Sequence, residues 1–477
     1  MKLSSLGKFG KLLNMREDPD IRDIAYDSRK VKPGDLFIAL VGRNFDGHDF
    51  VEDAKKRGAI AAVVSKSLKT DLPLLLVEDT RISMAEISAF FFSYPSKNLS
   101  VTGITGTNGK STTAFILNQI FKEAGFKGGM LGTIYYEIAG KVVKGERTTP
   151  ESPDIQRFMA ETLKSGGRYF VMEVSSQSVC EHRVDGIYFK NVVFTNISRE
   201  HLEYHGTFEN YLNAKLKFFK RAVQEGARGF VNIDDKHCGK FLIDGEIKTV
   251  SVEKDADFRA IVERLSIDGT VFKVIHRGSE YTVRTNLIGI HNVYNALMAF
   301  AVAFEEGVEP DLIIKGIESI EFIPGRLERI SSGGRHIFID YAHTPRALEV
   351  VLKTLKPLTT GRLISVFGAG GERDQGKRAL MGSVASKYSD FIILTSDNPR
   401  GEDPLKIIMD IREGIRRDHE WIVDRREAIE RAISIAKPGD TILIAGKGHE
   451  DYQEIAGKKI HFSDREVVNE VLTRRSS

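Results

Sequence analysis

Cysteine is scarce in this chain of 477 residues. Its two cysteines, Cys180 and Cys238, are too few for a disulfide framework and lack Cys-x-x-Cys spacing, so we expect buried free thiols in a reducing compartment. Long hydrophobic runs are also missing, because stretches such as residues 59–64 fall far short of the about 20 residues of a membrane helix. Charged residues precede any signal-like segment. These absences predict a soluble, cytoplasmic protein without a membrane partner.

An excess of either charge is absent as well. The 69 Lys and Arg residues nearly balance the 66 Asp and Glu residues, and the two signs are interspersed. Nothing in this balance indicates a nucleic-acid partner. With 41% hydrophobic and 28% charged residues, the composition is that of a globular protein. At about 150 residues per domain, the length predicts roughly three domains.

Hydrophobic periodicity predicts an α/β protein made of three domains. Residues 1–97 form a small N-terminal α/β unit with strands at 24–28, 35–40, 59–64 and 74–77. Residues 98–329 form a central mixed-sheet domain in which the Asp268-Gly269 pair predicts a hairpin turn. Residues 330–477 alternate strands and helices, which predicts a C-terminal Rossmann-like, doubly wound parallel domain. Its strands are predicted at 336–341, 363–367, 391–394, 421–423 and 441–445.

A glycine-containing loop lies between a predicted strand and a predicted helix in the central domain. Its residues are Gly106, Thr107, Asn108, Gly109, Lys110, Ser111 and Thr112. In a phosphate-binding loop, backbone N–H groups curl around phosphate oxygens, the lysine reaches the β and γ phosphates and the serine ligates magnesium. The strict Gly-x-x-x-x-Gly-Lys pattern fails at Ile104, so an ordinary glycine-rich turn is the alternative. We interpret this segment as the loop of a P-loop-type ATPase domain.

Magnesium nucleotides need further oxygen ligands at neighbouring strand ends. Glu173 ends one predicted strand and His201 follows another, although either residue alone is more often an ordinary polar group at a strand end. Residues 199–206 hold two histidines and two glutamates, but their spacing matches no zinc pattern.

Several motifs occur together, in order, along nearly the whole chain. They are the loop itself, Glu173-Val174-Ser175-Ser176, Thr195-Asn196-Ile197 with His201 and His205-Gly206, Ala214-Lys215, His291-Asn292 with Asn295-Ala296, Gly325-Arg326, and Asp340-Tyr341-Ala342-His343-Thr344-Pro345. This set resembles the Mur ligase family of ATP-dependent cell-wall enzymes. The resemblance implies three domains, for a uridine nucleotide, ATP and an amino acid.

Further motifs resemble the family member that adds the third amino acid of the peptidoglycan peptide. They are Tyr26-Asp27-Ser28-Arg29, Thr148-Thr149-Pro150, Asp397-Asn398-Pro399-Arg400 and Gly446-Lys447-Gly448-His449-Glu450. The resemblance implies a monomer that joins meso-diaminopimelate to UDP-N-acetylmuramoyl-L-alanyl-D-glutamate. The residues it implies for the UDP-dipeptide are Tyr26, Ser28, Arg43, Asn44, Phe45, Thr148, Thr149, Ser175, Glu181 and Arg183.

The same resemblance implies an ATP site with two Mg²⁺ ions. Beyond the loop, the ATP contacts are Asn292, Arg326, Asp340 and His343, and the metal ligands are Ser111, Glu173, His201 and a carbamylated Lys215. Lys110, Glu173, His201 and Lys215 are the implied catalytic residues. A CO₂-derived carbamate turns an ammonium into an anion with carboxylate-like oxygens. Without the resemblance, Lys215 on an amphipathic helix would be interpreted as a solvated lysine.

The amino-acid site is predicted in the C-terminal domain. Its residues are Arg373, Asp397, Asn398, Pro399, Arg400, Gly446 and Glu450. The two arginines suit carboxylates, and Glu450 suits the distal ammonium of meso-diaminopimelate. L-Lysine lacks the distal carboxylate and is the alternative substrate. A turn that only caps the next helix is the alternative role of the Asn398-Pro399 pair.

Three positions depart from the family pattern. The family often has Gln where Glu181 stands, Asn where Arg147 stands and Asp where Glu200 stands. Glu181 would repel the carboxylates of the dipeptide unless it were protonated, paired with Arg183 or turned away.

The implied reaction is amide ligation through an acyl phosphate. A folylpolyglutamate synthase-like ligase is one alternative, although residues 1–96 carry an Asp-Ser-Arg pattern that such an enzyme lacks. A non-catalytic nucleotide-binding protein is the other.

Overall fold

The computed structural model describes residues 1–42 and 45–476. Its contacts gather the chain into two compact units, Met1–Thr249 and Val250–Ser477. The boundary between them falls inside the predicted central domain, 98–329, so contact density does not follow the predicted limits. Those limits, 1–97, 98–329 and 330–477, stay a prediction.

The first unit begins with a five-stranded sheet. Its strands are β1 (Lys11–Leu13), β2 (Asp23–Ala25), β3 (Asp35–Ile38), β4 (Ala61–Val64) and β5 (Leu74–Leu76), and its helices are α1 (Val51–Lys56) and α2 (Thr80–Phe91). The strand order is β1-β5-β4-β3-β2, and only β1 runs antiparallel to its neighbour. Every residue of β3 and β4 is buried, as expected for parallel strands covered on both faces.

A second sheet of the first unit carries the glycine-containing loop. Its strands are β6 (Ser100–Thr105), β7 (Gly128–Leu131), β8 (Tyr136–Ile138), β9 (Lys141–Val143), β10 (Tyr169–Glu173), β11 (Asn191–Phe194) and β12 (Arg228–Asn232). The helices are α3 (Lys110–Glu123), α4 (Ser152–Lys164), α5 (Ser176–Cys180), α6 (Leu202–His205) and α7 (Phe208–Gln224). The order is β12-β11-β6-β10-β7-β8-β9, with β8 and β9 added as antiparallel strands and β9 at the edge. The carboxyl ends of β6, β10 and β11 therefore lie side by side.

The second unit opens with three consecutive antiparallel strands and two helices. Strand β13 (Ile247–Ser251) spans the unit boundary and is followed by β14 (Phe258–Ser266), β15 (Gly269–His276), β16 (Ser279–Thr285), α8 (Ile290–Glu305) and α9 (Pro310–Glu318). β14 and β15 pair up to Ser266 and Gly269, so the hairpin predicted at Asp268-Gly269 is confirmed.

The rest of the second unit is a doubly wound domain. Its strands are β17 (Glu328–Ser332), β18 (Arg335–Asp340), β19 (Leu363–Phe367), β20 (Phe391–Leu394), β21 (His419–Trp421), β22 (Thr441–Ala445), β23 (Tyr452–Ile455) and β24 (Lys458–His461). Its helices are α10 (Pro345–Leu355), α11 (Gly376–Tyr388), α12 (Pro404–Arg412), α13 (Arg425–Ile435) and α14 (Asp464–Ser476). The main sheet has the order β17-β18-β22-β19-β20-β21, parallel except for β17. Together with the two preceding α/β sheets, it confirms the predicted α/β fold class.

The cysteines differ from expectation. Both are free thiols, but Cys180 is exposed and Cys238 only half-buried, so the expected burial is wrong. Cys180 is the last residue of α5, whose buried side chains are Ser176, Ser178 and Val179. In the part of the chain that the structure describes, no helix is long and apolar enough to span a bilayer.

Candidate functional site

The glycine-containing loop joins β6 directly to α3. Gly106 has φ +149°, and a Cβ placed on it would lie 1.9 Å from Oγ1 of Thr195, so only glycine fits. Gly109 precedes the helix with φ +86°. Lys110 Nζ donates to the carbonyl oxygens of Gly106 (3.0 Å) and Thr107 (2.8 Å), which holds the ammonium over the loop. This geometry, at the amino end of a 14-residue helix, suits phosphate groups.

Lys215 lies beneath this loop and is 1% exposed. The interpretation of Lys215 as a solvated lysine is therefore wrong, because α7 turns this side chain into the core. Its Nζ donates to the carbonyl oxygen of Gly106 at 2.7 Å. Burial lowers the pKa of the Lys215 amine well below its ordinary value, and the charge of Lys110 lowers it further while Glu200 opposes the shift. A neutral amine is the form that reacts with CO₂.

Glu173 ends β10 as a buried carboxylate. Thr133 holds it: the Thr133 N–H donates to Oε1 at 2.7 Å, and the Thr133 hydroxyl donates to Oε2 at 3.3 Å. Ser111 lies in the first turn of α3 with its side chain buried. Among the described residues, no three His, Cys, Asp or Glu side chains gather as a metal cluster. Carboxylate and hydroxyl oxygens nevertheless fit Mg²⁺, which also takes phosphate oxygens and water.

His201 occupies a left-handed backbone conformation, with φ 56°, just before α6. Its ring nitrogens lie 3.9 Å from a Glu200 oxygen and 3.6 Å from a Glu203 oxygen, and its side chain is 52% exposed. His205 is buried instead, and its Nε2 lies 2.9 Å from the Ser176 hydroxyl. The role of His201 as a metal ligand stays a prediction.

Three of the residues predicted for the dipeptide lie together beside Glu173. The Thr149 hydroxyl donates to the Glu173 carbonyl oxygen (2.9 Å) and accepts from the Ser175 N–H (3.2 Å). Arg183 Nη1 donates to the Thr149 carbonyl oxygen at 3.1 Å. Thr148 adjoins them, with its hydroxyl 2.9 Å from that of Thr133.

Glu181 pairs with Arg183 rather than standing alone. Arg183 Nη2 donates to Glu181 Oε2, and Gln177 Nε2 donates to Oε1 at 3.1 Å. Burial alone would raise the pKa of Glu181, but the Gln177 hydrogen bond and the charges of Arg183 and Arg81 lower it overall. An ionised, paired Glu181 does not present an uncompensated charge to an anionic ligand.

Arg147, the second departure from the family pattern, is part of the same network of charges. Its Nη1 donates to Glu151 Oε1 at 2.5 Å, and Arg183 Nε lies 3.1 Å from that oxygen. Glu151 is thus a shared counter-ion of Arg147 and Arg183, and it is 5% exposed.

The residues predicted for the uridine nucleotide are less closely gathered. Tyr26 donates its hydroxyl to Asp154 Oδ2 at 2.5 Å, and burial together with Asp154 raises the pKa of the phenol. Ser28 begins a short 3₁₀ turn capped by Asp27, and Phe45 is 73% exposed. Arg43 and Asn44 lie outside the described residues.

The remaining residues predicted for ATP lie in the second unit. Asp340 ends β18, where its carboxylate accepts from the N–H groups of Leu327 (2.7 Å) and Ala342 (2.8 Å). Burial raises the pKa of Asp340, and the charge of Arg326 opposes the shift. Arg326 lies over the Tyr341 ring, and His343 Nδ1 is 2.8 Å from the Tyr341 carbonyl oxygen. Asn292 is anchored in α8 by the carbonyl oxygen of Ile288 (2.9 Å).

The residues predicted for the amino acid gather at the carboxyl ends of β19, β20 and β22. A Cβ built on Gly370 would lie 3.0 Å from Arg400 Nη1, 3.7 Å from Arg373 Cγ and 3.9 Å from the Asn398 carbonyl oxygen. A Cβ on Gly446 would lie 2.3 Å from Asp397 Oδ2. The backbone therefore lies close to these side chains, and Gly446, with φ +117°, occupies a conformation that other residues rarely adopt.

Arg400 is fixed in this space. Its Nε donates to Glu454 Oε2 at 3.1 Å and its Nη1 to the Gly371 carbonyl oxygen at 2.7 Å. A guanidinium has five N–H donors, so these two contacts orient the group and leave capacity for a carboxylate. Arg373 is exposed.

Three residues that contact predicted site residues were not assigned a role from the sequence. Thr133, Glu151 and Lys447 each contact a predicted site residue. Thr133 and Glu151 lie outside the motifs, whereas Lys447 lies within the motif Gly446-Lys447-Gly448-His449-Glu450 but was given no role. Thr133 lies 40 residues before Glu173, and no local pattern links them. For Lys447 the available signal was its place between two glycines after a buried strand.

α/β sheets with a glycine-containing loop at a strand–helix junction are typical of the class of nucleotide-binding enzymes. Three family models match the chain: Mur ligase middle domain (residues 104–303), Mur ligase, glutamate ligase domain (325–448), and Mur ligase family, catalytic domain (20–90). The chain belongs to the Mur ligase family of ATP-dependent amino-acid ligases. ATP and Mg²⁺ are the co-substrate and the metal that this family implies.

Individual relatives extend over almost the entire chain. A protein of Aquifex aeolicus (strain VF5), named UDP-N-acetylmuramoyl-L-alanyl-D-glutamate--2,6-diaminopimelate ligase, is 46% identical over 95% of this chain and 94% of its own length. A protein of the same name from Clostridium tetani (strain Massachusetts / E88) is 42% identical over 97% and 96%. A solved structure of that name has a TM-score of 0.69 and 32% identity, covering 96% of each chain.

Proposed function

We propose that this protein joins meso-2,6-diaminopimelate to UDP-N-acetylmuramoyl-L-alanyl-D-glutamate, with ATP as the energy source, in peptidoglycan precursor synthesis. The name shared by relatives that match nearly the whole chain carries this proposal. Because ATP and a nucleotide-sugar precursor are the proposed substrates, we propose a cytoplasmic reaction that serves cell-wall growth, cell shape and division. We propose that a monomer carries it out.

The first chemical step is phosphoryl transfer. The γ-phosphoryl group of ATP passes to the γ-carboxylate of the D-glutamyl residue, which gives an acyl phosphate and ADP. Lys110 holds its ammonium over the loop, where it offsets negative charge that moves towards ADP. Thr149, Ser175 and Arg183 lie beside Glu173, and we assign them to the dipeptide.

The second step forms the amide. The amine of the incoming amino acid attacks the acyl phosphate, a proton leaves the nitrogen, and the tetrahedral intermediate expels phosphate. Arg400 and Arg373 are assigned to the carboxylates of the amino acid and Glu450 to its distal ammonium. L-Lysine would leave an arginine without its carboxylate, which disfavours it strongly.

Ser111, Glu173, His201 and a carbamylated Lys215 are the residues that we assign to two Mg²⁺ ions. When bound, these ions supply charge neutralisation for the phosphate oxygens. The carbamate forms when the neutral Lys215 amine adds to CO₂ and releases one proton. Its buried position and lowered pKa support this assignment.

The test is ADP release with the UDP-muramoyl dipeptide and one amino acid at a time. We expect turnover with meso-diaminopimelate and little with L-lysine or L-ornithine. Equal or faster turnover with L-lysine would replace the proposed substrate. Turnover only with a folate and glutamate would favour the folylpolyglutamate synthase-like alternative, and no ADP release in any mixture would indicate a non-catalytic protein.

A further inference from the structure

Lys447 is a fully buried lysine in the loop that follows β22. Its side chain is 0% exposed, so its ammonium is shielded from solvent. An ammonium buried in this way is costly unless hydrogen-bond acceptors and a counter-charge surround it. The groups that surround Lys447 Nζ therefore indicate the role of its positive charge.

Lys447 forms a closed triangle with two residues assigned to the amino acid. Its Nζ donates to Asn398 Oδ1 at 3.1 Å and to Glu450 Oε2 at 3.2 Å. Asn398 Nδ2 donates to the same Glu450 oxygen at 3.0 Å. The Tyr452 ring lies on another side, with its centroid 5.4 Å from Nζ. The triangle ties the loop after β20 to the loop after β22, across the intervening β19.

The triangle fixes the orientation of the Glu450 carboxylate. Two donors converge on Oε2, whereas the Glu450 side chain is 19% exposed and so remains accessible. A carboxylate anchored through one oxygen can present the other to a cationic group of a ligand. Without the buried ammonium, Glu450 would lose a charge-assisted hydrogen bond and one of the two donors that restrict its rotamer, and only Asn398 Nδ2 would remain.

We propose that Lys447 is a positioning residue for amino-acid selection: it holds Glu450 ready to accept the distal ammonium of the incoming amino acid. Lys447 itself touches no substrate. The inference rests on the proposed function, because it takes meso-diaminopimelate as the ligand that Glu450 receives.

The test compares Lys447→Met, Glu450→Gln and the double variant in ADP-release assays that vary each substrate in turn. We expect the KM for meso-diaminopimelate to rise by about tenfold or more in Lys447→Met. The KM values for ATP and the UDP-dipeptide should stay within about twofold. The double variant should be no worse than Glu450→Gln, because both changes remove one interaction. Lys458→Met, at an exposed lysine of β24, is the matched control and should leave all three KM values unchanged.

Thermal unfolding of each variant separates positioning from folding. If Lys447→Met does not fold, Lys447→Gln keeps a donor without the charge and is judged by the same criteria. An unchanged KM for meso-diaminopimelate, an equal rise in all three KM values, or additive effects in the double variant would each overturn the positioning role. Wild-type enzyme that releases no ADP with meso-diaminopimelate would instead overturn the proposed function and this inference together.

Discussion

The burial of Lys215 favours the neutral form of its amine. An exposed lysine is protonated at neutral pH, whereas burial and the nearby Lys110 charge favour the neutral amine here. We expect enzyme incubated with ¹³C-bicarbonate to show a carbamate resonance in NMR spectra, and Lys215→Met to lose both this resonance and at least about 99% of kcat. Lys220→Met, at an exposed position of the same helix, is the control and should keep both. Full activity in Lys215→Met would contradict the assignment.

Glu181 gives the fold a defined pH dependence. Its pKa in the folded protein lies below the ordinary value of 4.5, so its pairing stabilises the protein above that pH and is lost as pH falls through the lowered pKa. We expect Glu181→Gln to have a lower Tm than wild type at pH 7 and the difference to shrink below about pH 4. Glu17→Gln, at an exposed position, should show no such trend. A Tm difference independent of pH would refute the prediction.

The strand–loop–helix element formed by β6, the loop and α3 depends on Gly106. A Cβ at this position would collide with Thr195, so the loop must shift. We expect Gly106→Ala to lower kcat/KM for ATP by about a hundredfold, because a displacement near 1 Å misplaces the phosphates.

Gly125, just after α3, provides the matched control for backbone strain. It has φ +77° and nothing within 4 Å of a built Cβ. Gly125→Ala should cost only about 1 kcal/mol of stability and leave kcat/KM for ATP intact. If the two variants lost kcat/KM for ATP equally, the steric argument would fail.

Element prediction succeeded where the sequence pattern is local. Strands β19, β20 and β22 begin and end at the predicted residues, because parallel strands covered on both faces are continuous apolar runs. Short strands were predicted less well: β1, β8 and β9 were not predicted, and β21 (His419–Trp421) begins two residues before its predicted position at 421–423, since three residues carry no clear periodicity.

The residues of the candidate site also fall into two groups, those that a local sequence pattern predicts and those that it does not. The loop and the strand-end position of Glu173 could be predicted from sequence, since both follow from strand and helix boundaries. The burial of Lys215 and the partners Thr133 and Lys447 depend on tertiary packing, and no sequence spacing encodes them.

Unfolding of the second unit can be followed separately, because Trp421 is the only tryptophan of the chain. In that unit, Arg425 and Asp464 join α13 to α14 through a fully buried ion pair. We expect Asp464→Asn to reduce the free energy of unfolding by about 3–5 kcal/mol, because it leaves a buried guanidinium uncompensated. Denaturant titration followed by Trp421 fluorescence measures this.

The control is an exposed ion pair between the same two helices. Arg426 Nη1 lies 2.6 Å from Glu470 Oε2, with side chains 40% and 47% exposed. Glu470→Gln should cost less than about 1 kcal/mol. Similar losses in Asp464→Asn and Glu470→Gln would show that burial does not set the strength of these pairs.

At the scale of the complete chain, positive and negative charges nearly balance, and the cationic side chains assigned to substrates are few and local. The net charge of +3 offers no broad basic surface for anionic substrates. Lys110, Arg183 and Arg400 instead lie at separate assigned subsites.

The short edge strand β9 also affects how the protein behaves at high concentration. Its residues Val142 and Val143 are 62% and 42% exposed, and an open edge of this kind can template intermolecular strand pairing. With only three residues, and lysines at positions 141 and 144, β9 offers a foreign strand few hydrogen bonds and an unfavourable charge. Replacing those lysines with apolar residues would make this sheet edge prone to intermolecular aggregation.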